Sequence, residues 1–87
     1  MPVKGIVRMQ IEFHGRIGTP FGGAAHVDIA MDGLAVSGLR ALLASQYGVD
    51  AIFHRSVRAA VNDEIVTEDH IVQAGDTVAF MSPVSGG

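Results

Sequence analysis

The groups best suited to chemistry lie together at one end of the sequence, in Ser82-Pro83-Val84-Ser85-Gly86-Gly87. Paired glycines lack Cβ atoms and reach backbone conformations closed to other residues, so they pass through slots too narrow for side chains. Such a slot would receive the α-carboxylate of Gly87, making the working group of this protein its own terminus. Pro83 fixes its own φ and biases Ser82 toward extended geometry, which lowers the entropy lost on insertion. A carboxylate with a reference pKa near ~3.5 is ionised at pH 7 and is a poor electrophile. It must therefore be activated before it can react.

Other chemistries find little support. The chain has no cysteine, which removes disulfides, thiolate metal sites and a cysteine nucleophile together. His14, His26, His54 and His70 are not spaced as metal-ligand pairs, and no metal site is expected. Asp63-Glu64 and Glu68-Asp69 lie in polar, turn-like stretches and read as solvated carboxylates. The glycines at 15, 18, 22 and 23 match neither a dinucleotide fingerprint nor a P-loop, so no bound cofactor is expected. A net charge of −3 argues against nucleic acid. No apolar run reaches the roughly 18–20 residues of a membrane span, and the first residues lack a secretory signal, so a cytoplasmic location is expected.

Charge is unevenly distributed. All six Lys and Arg residues lie before position 59, whereas Asp63, Glu64, Glu68, Asp69 and Asp76 follow it. A basic surface on a partner would be steered toward this acidic third.

The elements that position the tail follow from periodicity. Arg8 to Phe13 alternates, with Val7, Met9, Ile11 and Phe13 on one face, which predicts a strand against a core. His26 to Met31 alternates likewise, with Val27, Ile29 and Met31 inward. Residues 14–24 between them, with four glycines and Pro20, predict an irregular, mobile hairpin tip. After the Asp32-Gly33 turn, Val36, Leu39, Leu42, Leu43 and Tyr47 make a helical stripe, with Arg40 and Gln46 off it and Gly48 as a left-handed cap. Ser56 to Val61, Glu64 to Val66 and Thr77 to Met81 complete the set as strands, with Val78 and Phe80 inward. Ala79 and Met81, on the other face of the last strand, and Phe21 in the loop are candidates for a docking patch. The order strand, strand, helix, strand, short strand, strand predicts an α+β, β-grasp (ubiquitin-like) domain over residues 1–87, with a mixed sheet of four to five strands, one main helix and a flexible tail at 82–87.

Three motifs sharpen this reading: Val61-Asn62, Gly75-Asp76-Thr77-Val78-Ala79-Phe80 and Pro83-Val84-Ser85-Gly86-Gly87. Together they resemble the small, sulfur-carrying subunit of molybdopterin synthase, in the ubiquitin-like sulfur carrier family. The likeness is close in the C-terminal third and loose over the helix. The chain departs from the family in Met81-Ser82 before Pro83, in its glycine-rich first loop, and in Ala35 where a capping threonine is common. The resemblance implies a protein that is not a catalyst by itself. An ATP-dependent adenylyltransferase related to ubiquitin activators would adenylate Gly87, and a sulfur donor protein would displace AMP to leave a thiocarboxylate. Pro83, Val84, Ser85 and Gly86 would then enter a channel of the synthase's large subunit in a hetero-oligomer (a heterotetramer). There sulfur passes to a pterin precursor of the molybdenum cofactor. Alternatives are a carrier for thiamine thiazole, cysteine or tRNA thiolation, or a ubiquitin-like modifier that forms isopeptide bonds.

Overall fold

A computed structural model describes residues 5–83. Its main sheet has five strands in the order β2-β1-β7-β4-β5. These are β1 (Ile6–His14), β2 (Ala24–Ala30), β4 (Arg58–Val61), β5 (Glu64–Val66) and β7 (Val78–Met81). The last strand, β7, lies parallel to β1 and antiparallel to β4, while β1–β2 and β4–β5 are antiparallel hairpins. One helix, α1 (Val36–Tyr47), packs on one face. This is the β-grasp arrangement that the element order predicts.

Alternation decides which face meets the helix. Met9, Ile11 and Phe13 of β1, Ala25, Val27 and Ile29 of β2, and Val78 and Phe80 of β7 are buried with Val36, Leu39 and Leu43 of α1. Arg8, Gln10 and Glu12 face outward. Because β7 is central, it is held on both edges, and whatever follows it departs from the middle of the sheet.

The helix has Ala35 at its N-cap and no side-chain cap. Its orphan donors are met from elsewhere: Val36 N–H donates to the His70 carbonyl at 3.0 Å and Ser37 N–H to that of Glu68 at 3.0 Å. This works because the chain around 67–70 is pinned beside the helix start by β3 (Leu34–Ala35) pairing with β6 (Ile71–Val72), two short strands that periodicity does not reveal. At the other end, Gly48 takes the left-handed conformation (φ 69°) and donates to the Ala44 carbonyl at 2.8 Å. Beyond α1, Asp50–Phe53 forms a short 3₁₀ helix with Ile52 buried.

Three expectations need correction. The segment between β1 and β2 is folded: Arg16–Phe21 is a 3₁₀ helix that buries Ile17 and Phe21. Phe21 stacks on Phe13 with ring centroids 4.3 Å apart and meets Tyr47 edge-on at 5.3 Å. Counting the glycines and the proline there overlooks two apolar residues four apart, whose burial orders the loop. Met31 does not point inward; β2 ends at Ala30 and Met31 is 58% exposed in the following turn. Arg40 does not lie off the stripe. It is buried, because Val36, Leu39, Arg40 and Leu43 share the face turned to the sheet.

Arg40 is the principal polar connection inside the domain. Its guanidinium donates to the carbonyls of Ile52 (2.5 Å) and Val57 (2.7 Å), and makes a forked pair with Glu68 at 2.8 and 2.9 Å. It also lies over the Phe80 ring, 5.2 Å from the centroid. One side chain thus ties the helix, the segment leading into β4, the 67–70 stretch and the last strand together. All three nitrogens donate, four bonds in all, which is what makes burial of this charge tolerable.

The free edge of β2 is partly closed. Tyr47 Oη accepts from His26 N–H at 2.9 Å, and Gln46 Nε2 donates to the His26 carbonyl at 2.8 Å. Side chains from the end of α1 thereby occupy main-chain groups that would otherwise invite another strand.

Candidate functional site

The site is the exit of β7. Met81 pairs with His14 on one side and Arg58 on the other. One residue later, Ser82 N–H still donates to the His14 carbonyl at 3.0 Å, extending the ladder by a rung. Ser82 Oγ accepts from Ile17 N–H at 3.1 Å. The serine thus bonds to both the strand beside it and the 3₁₀ loop beyond. Pro83, exposed and without an N–H, cannot continue the ladder.

Gly15 makes this clamp feasible. Its backbone sits at φ 89°, ψ −165°, a region essentially reserved for glycine. A Cβ there would lie 2.6 Å from Ser82 Oγ and 2.7 Å from Ser82 O. The glycine-rich loop therefore has an assignable role: it lets the first loop close against the root of the tail. The sequence-predicted tail residues Val84, Ser85, Gly86 and Gly87 lie outside the described residues.

The candidate docking residues divide. Met81 is half-buried and Ala79, at 9% exposure, sits between its register partners Glu12 and Ala60. Phe21 is removed from the patch, since stacking on Phe13 leaves it 6% exposed. Ile65, unremarked in the sequence, takes its place: it pairs with Ala60 on β4 and is 53% exposed. Ile65, Ala60 and Ala79 thus form an apolar row across the outer face of three strands, with Met81 beside it.

The charged groups are also arranged differently from the linear pattern. Asp63 and Glu64 follow β4 and Asp76 precedes β7, so all three lie at the end of the sheet away from the tail. There Asn62 and Asp63 adopt positive φ (52° and 70°) and make the tight β4–β5 turn. Asn62 Oδ1 accepts from Thr77 N–H at 3.0 Å, while its Nδ2 donates to Asp76 Oδ1 at 3.1 Å. Asp76 Oδ2 accepts from Gln73 N–H at 2.7 Å. These bonds, the Gln73 amide first and Asn62 second, hold the Asp76 carboxyl below the ordinary carboxylate range. Asp69 is likewise lowered, mainly by the Thr67 hydroxyl. The Val-Asn and Gly-Asp motifs therefore brace the sheet and take no part in the tail exit.

Around the exit the charges are basic. Arg16 and Ser82 line an apolar groove with Ile17, Pro20 and Val57. Arg58 lines an adjoining groove with Met81, Ser82 and Pro83. The expectation that a basic partner would be drawn to the tail end is not met at the exit: folding carries Asp63, Glu64 and Asp76 to the far end of the sheet and pairs Glu68 with Arg40. Among the described residues no three His, Asp or Glu side chains converge to hold a metal. No helix there is long and apolar enough to cross a membrane.

Comparison with known proteins agrees with this geometry. Residues 20–87 match the ThiS family. No curated protein sequence matches significantly. Among solved structures, SAMP1 from Haloferax volcanii superposes with a TM-score of 0.75 at 20% identity, covering 93% of this chain and 100% of that one. A proposed molybdopterin converting factor subunit 1 from Pyrococcus furiosus gives 0.73 at 19% identity, over 90% and 99% of the two chains. A complex of subunits 1 and 2 of molybdopterin-converting factor from Helicobacter pylori gives 0.63 at 22% identity, over 93% and 100%. At these identities the structural likeness establishes the fold.

Proposed function

The chain belongs to the ThiS family of ubiquitin-like sulfur carriers, and we propose that it carries sulfur as a thiocarboxylate on Gly87 for synthesis of the molybdenum cofactor. One observation does most to support this: the central strand β7 ends in a root clamped by Ser82, Gly15 and Ile17, immediately before Pro83 and the sequence Val84-Ser85-Gly86-Gly87. A rigid base followed by a slender terminus suits delivery into another protein's interior.

The chemistry proceeds in two steps. The Gly87 carboxylate attacks the α-phosphorus of ATP in an activating adenylyltransferase, forming an acyl adenylate and releasing pyrophosphate. Sulfide then attacks the acyl carbon and AMP leaves, giving the thiocarboxylate directly. A donor-protein persulfide would instead displace AMP to form an acyl disulfide, whose S–S bond a thiol of the donor or partner cleaves to release the thiocarboxylate and a disulfide. This chain contributes the carboxylate, the absence of side chains at Gly86 and Gly87, and the fixed root. Catalytic groups belong to the partners. The motifs Gly75-Asp76-Thr77-Val78-Ala79-Phe80 and Pro83-Val84-Ser85-Gly86-Gly87 favour the molybdopterin branch, with the synthase's large subunit as the receiving partner and the cytoplasm as the site of action. The row Ile65, Ala60, Ala79, with Met81, is the surface on which that subunit would seat.

Likeness to SAMP1, a small archaeal modifier protein, favours a second reading in which the same activated terminus joins lysines. One experiment addresses both. The chain is co-expressed with its organism's adenylyltransferase and a sulfur source, and its intact mass is measured. A carrier gains the mass of one oxygen-to-sulfur exchange at the terminus; a modifier yields branched lysine conjugates. No mass change and no conjugates would defeat both readings.

A further inference from the structure

We infer that the surface around the tail exit recognises a carboxylate-bearing rim on the activating adenylyltransferase, through Arg16, Arg58 and Arg55. The inference rests on the proposed role of the tail. Because carrier and modifier alike require activation, it does not depend on which of the two the chain is.

The described arginines fall into two groups. Arg40 is consumed by Glu68 and two carbonyls, and Arg8 lies 3.7 Å from Asp28. Arg16, Arg55 and Arg58 are exposed and make no ion pair among the described residues. All three lie at the tail end. Arg16 follows Gly15, which closes on Ser82; Arg58 pairs in register with Met81; Arg55 shares a groove with Arg58, Phe53 and Val66, whose one carboxylate, Glu68, is engaged by Arg40. Ser56 and Ser82 line both grooves beside the exit, so Arg16 and Arg58 flank the strand as it leaves.

The opposite end of the sheet carries Asp63, Glu64 and Asp76. Arg58 and Val61 are three residues apart on β4, roughly 10 Å at strand rise, and Asp63 lies beyond Val61. That separation exceeds the Debye length of about 8 Å at physiological ionic strength, so the two ends act as distinct patches. A chain of net charge −3 thus presents a local positive face at the point where its tail departs.

The ground between these arginines narrows the choice of partner. Ile17, Pro20, Ala51 and Val57 floor the groove beside Arg16, and only apolar side chains gain by covering them. A phosphate backbone would meet the charges but leave that floor wet. A protein rim with carboxylates around one or two apolar side chains satisfies both.

The test measures ATP–pyrophosphate exchange by the organism's own adenylyltransferase while the carrier concentration is varied. A combined R16E/R58E variant should raise the KM for the carrier by about tenfold at low salt, with the gap closing as NaCl is added. The neutral R16Q/R58Q variant should fall between it and the unaltered protein. Reversing the other end with D63K/E64K should change KM by less than about twofold, or lower it. Circular dichroism checks folding; if R16E/R58E fails to fold, the Gln pair supplies the comparison. A folded R16E/R58E protein with unaltered KM and unaltered salt dependence overturns the inference and leaves the tail chemistry standing. An unaltered chain that never supports exchange overturns both.

Discussion

At the far end of the sheet Asn62 and Asp76 spend their polar atoms on each other and on neighbouring backbone, whereas at the tail end Arg16, Arg55 and Arg58 keep theirs in solvent. Both ends are fixed, but by different means. The far end is braced by side chains reaching across two turns. The tail end is braced by a strand rung, one serine hydroxyl and a glycine that leaves room for them. The difference separates two arrangements: one end spends its polar groups on the geometry of β4, β5 and β7, and the other fixes the exit of β7 while leaving three arginines in solvent.

That comparison is sharpened most by changing the tail alone. Gly86→Val, or one residue added after Gly87, should reduce thiocarboxylate formation to background, read by intact mass after co-expression. The thermal midpoint should not move. Full sulfur loading of either variant would mean the terminus does not thread a narrow site.

Arg40→Ala should have the largest effect on stability. It strands the Ile52 and Val57 carbonyls, each at a cost of about 1–3 kcal/mol, and releases Glu68. Against the roughly 4–13 kcal/mol expected for a domain of this size, a loss of about 3 kcal/mol or more should show clearly in urea midpoints. Arg40→Lys should rescue little, since a single ammonium cannot fork between two carbonyls and a carboxylate. A midpoint within error of the unaltered protein would remove Arg40 from its place between the two ends.

Gly15→Ala breaks the tail end selectively. The new Cβ meets Ser82 at 2.6–2.7 Å in a backbone conformation that alanine avoids. A cost of about 1–3 kcal/mol is expected, together with hydrogen-exchange protection lost at Ile17 and Ser82 and kept at Asn62. Uniform loss across the sheet would show that the two ends are one cooperative unit.

How much of this was legible beforehand depends on the kind of signal. Period-two alternation in β1 and β2, Asn62-Asp63 as a turn and Gly48 as a cap are local, and the structure bears each out. The two-residue strands Leu34–Ala35 and Ile71–Val72 are too short to show any period and exist because they pair with each other. Arg40 carried a readable signal: it stands at i+4 from Val36, on the buried stripe. Its charge argued otherwise, and only the facing carbonyls and Glu68 explain why it is inside. The Ser82–Ile17 bond joins residues 65 apart and has no local trace at all. Charge was the most misleading guide, because the acidic segment folds so that Asp63, Glu64 and Asp76 lie at the end away from the tail and Glu68 is taken up by Arg40.

The smallest effect concerns acid. Asp76 is held below its unfolded value of 3.8 by the Gln73 amide and Asn62. A carboxyl lowered on folding stabilises the native state above its unfolded pKa, and that contribution disappears as pH falls through the lower folded value. Unfolding midpoints should therefore be flat from pH 7 to about 5 and decline below about 4. Asp76→Asn should lower the plateau and flatten the decline, because the amide loses one acceptor oxygen yet no longer titrates. Asp69, lowered chiefly by Thr67, adds to the same window, so Asp76→Asn should retain a residual slope that Asp69→Asn removes. The tail end has no carboxylate with such a shift among its described residues. Hydrogen exchange at pH 3 should accordingly open Asn62 and Thr77 before Ile17 and Ser82, and the reverse order would put the acid-sensitive brace at the end from which the tail departs.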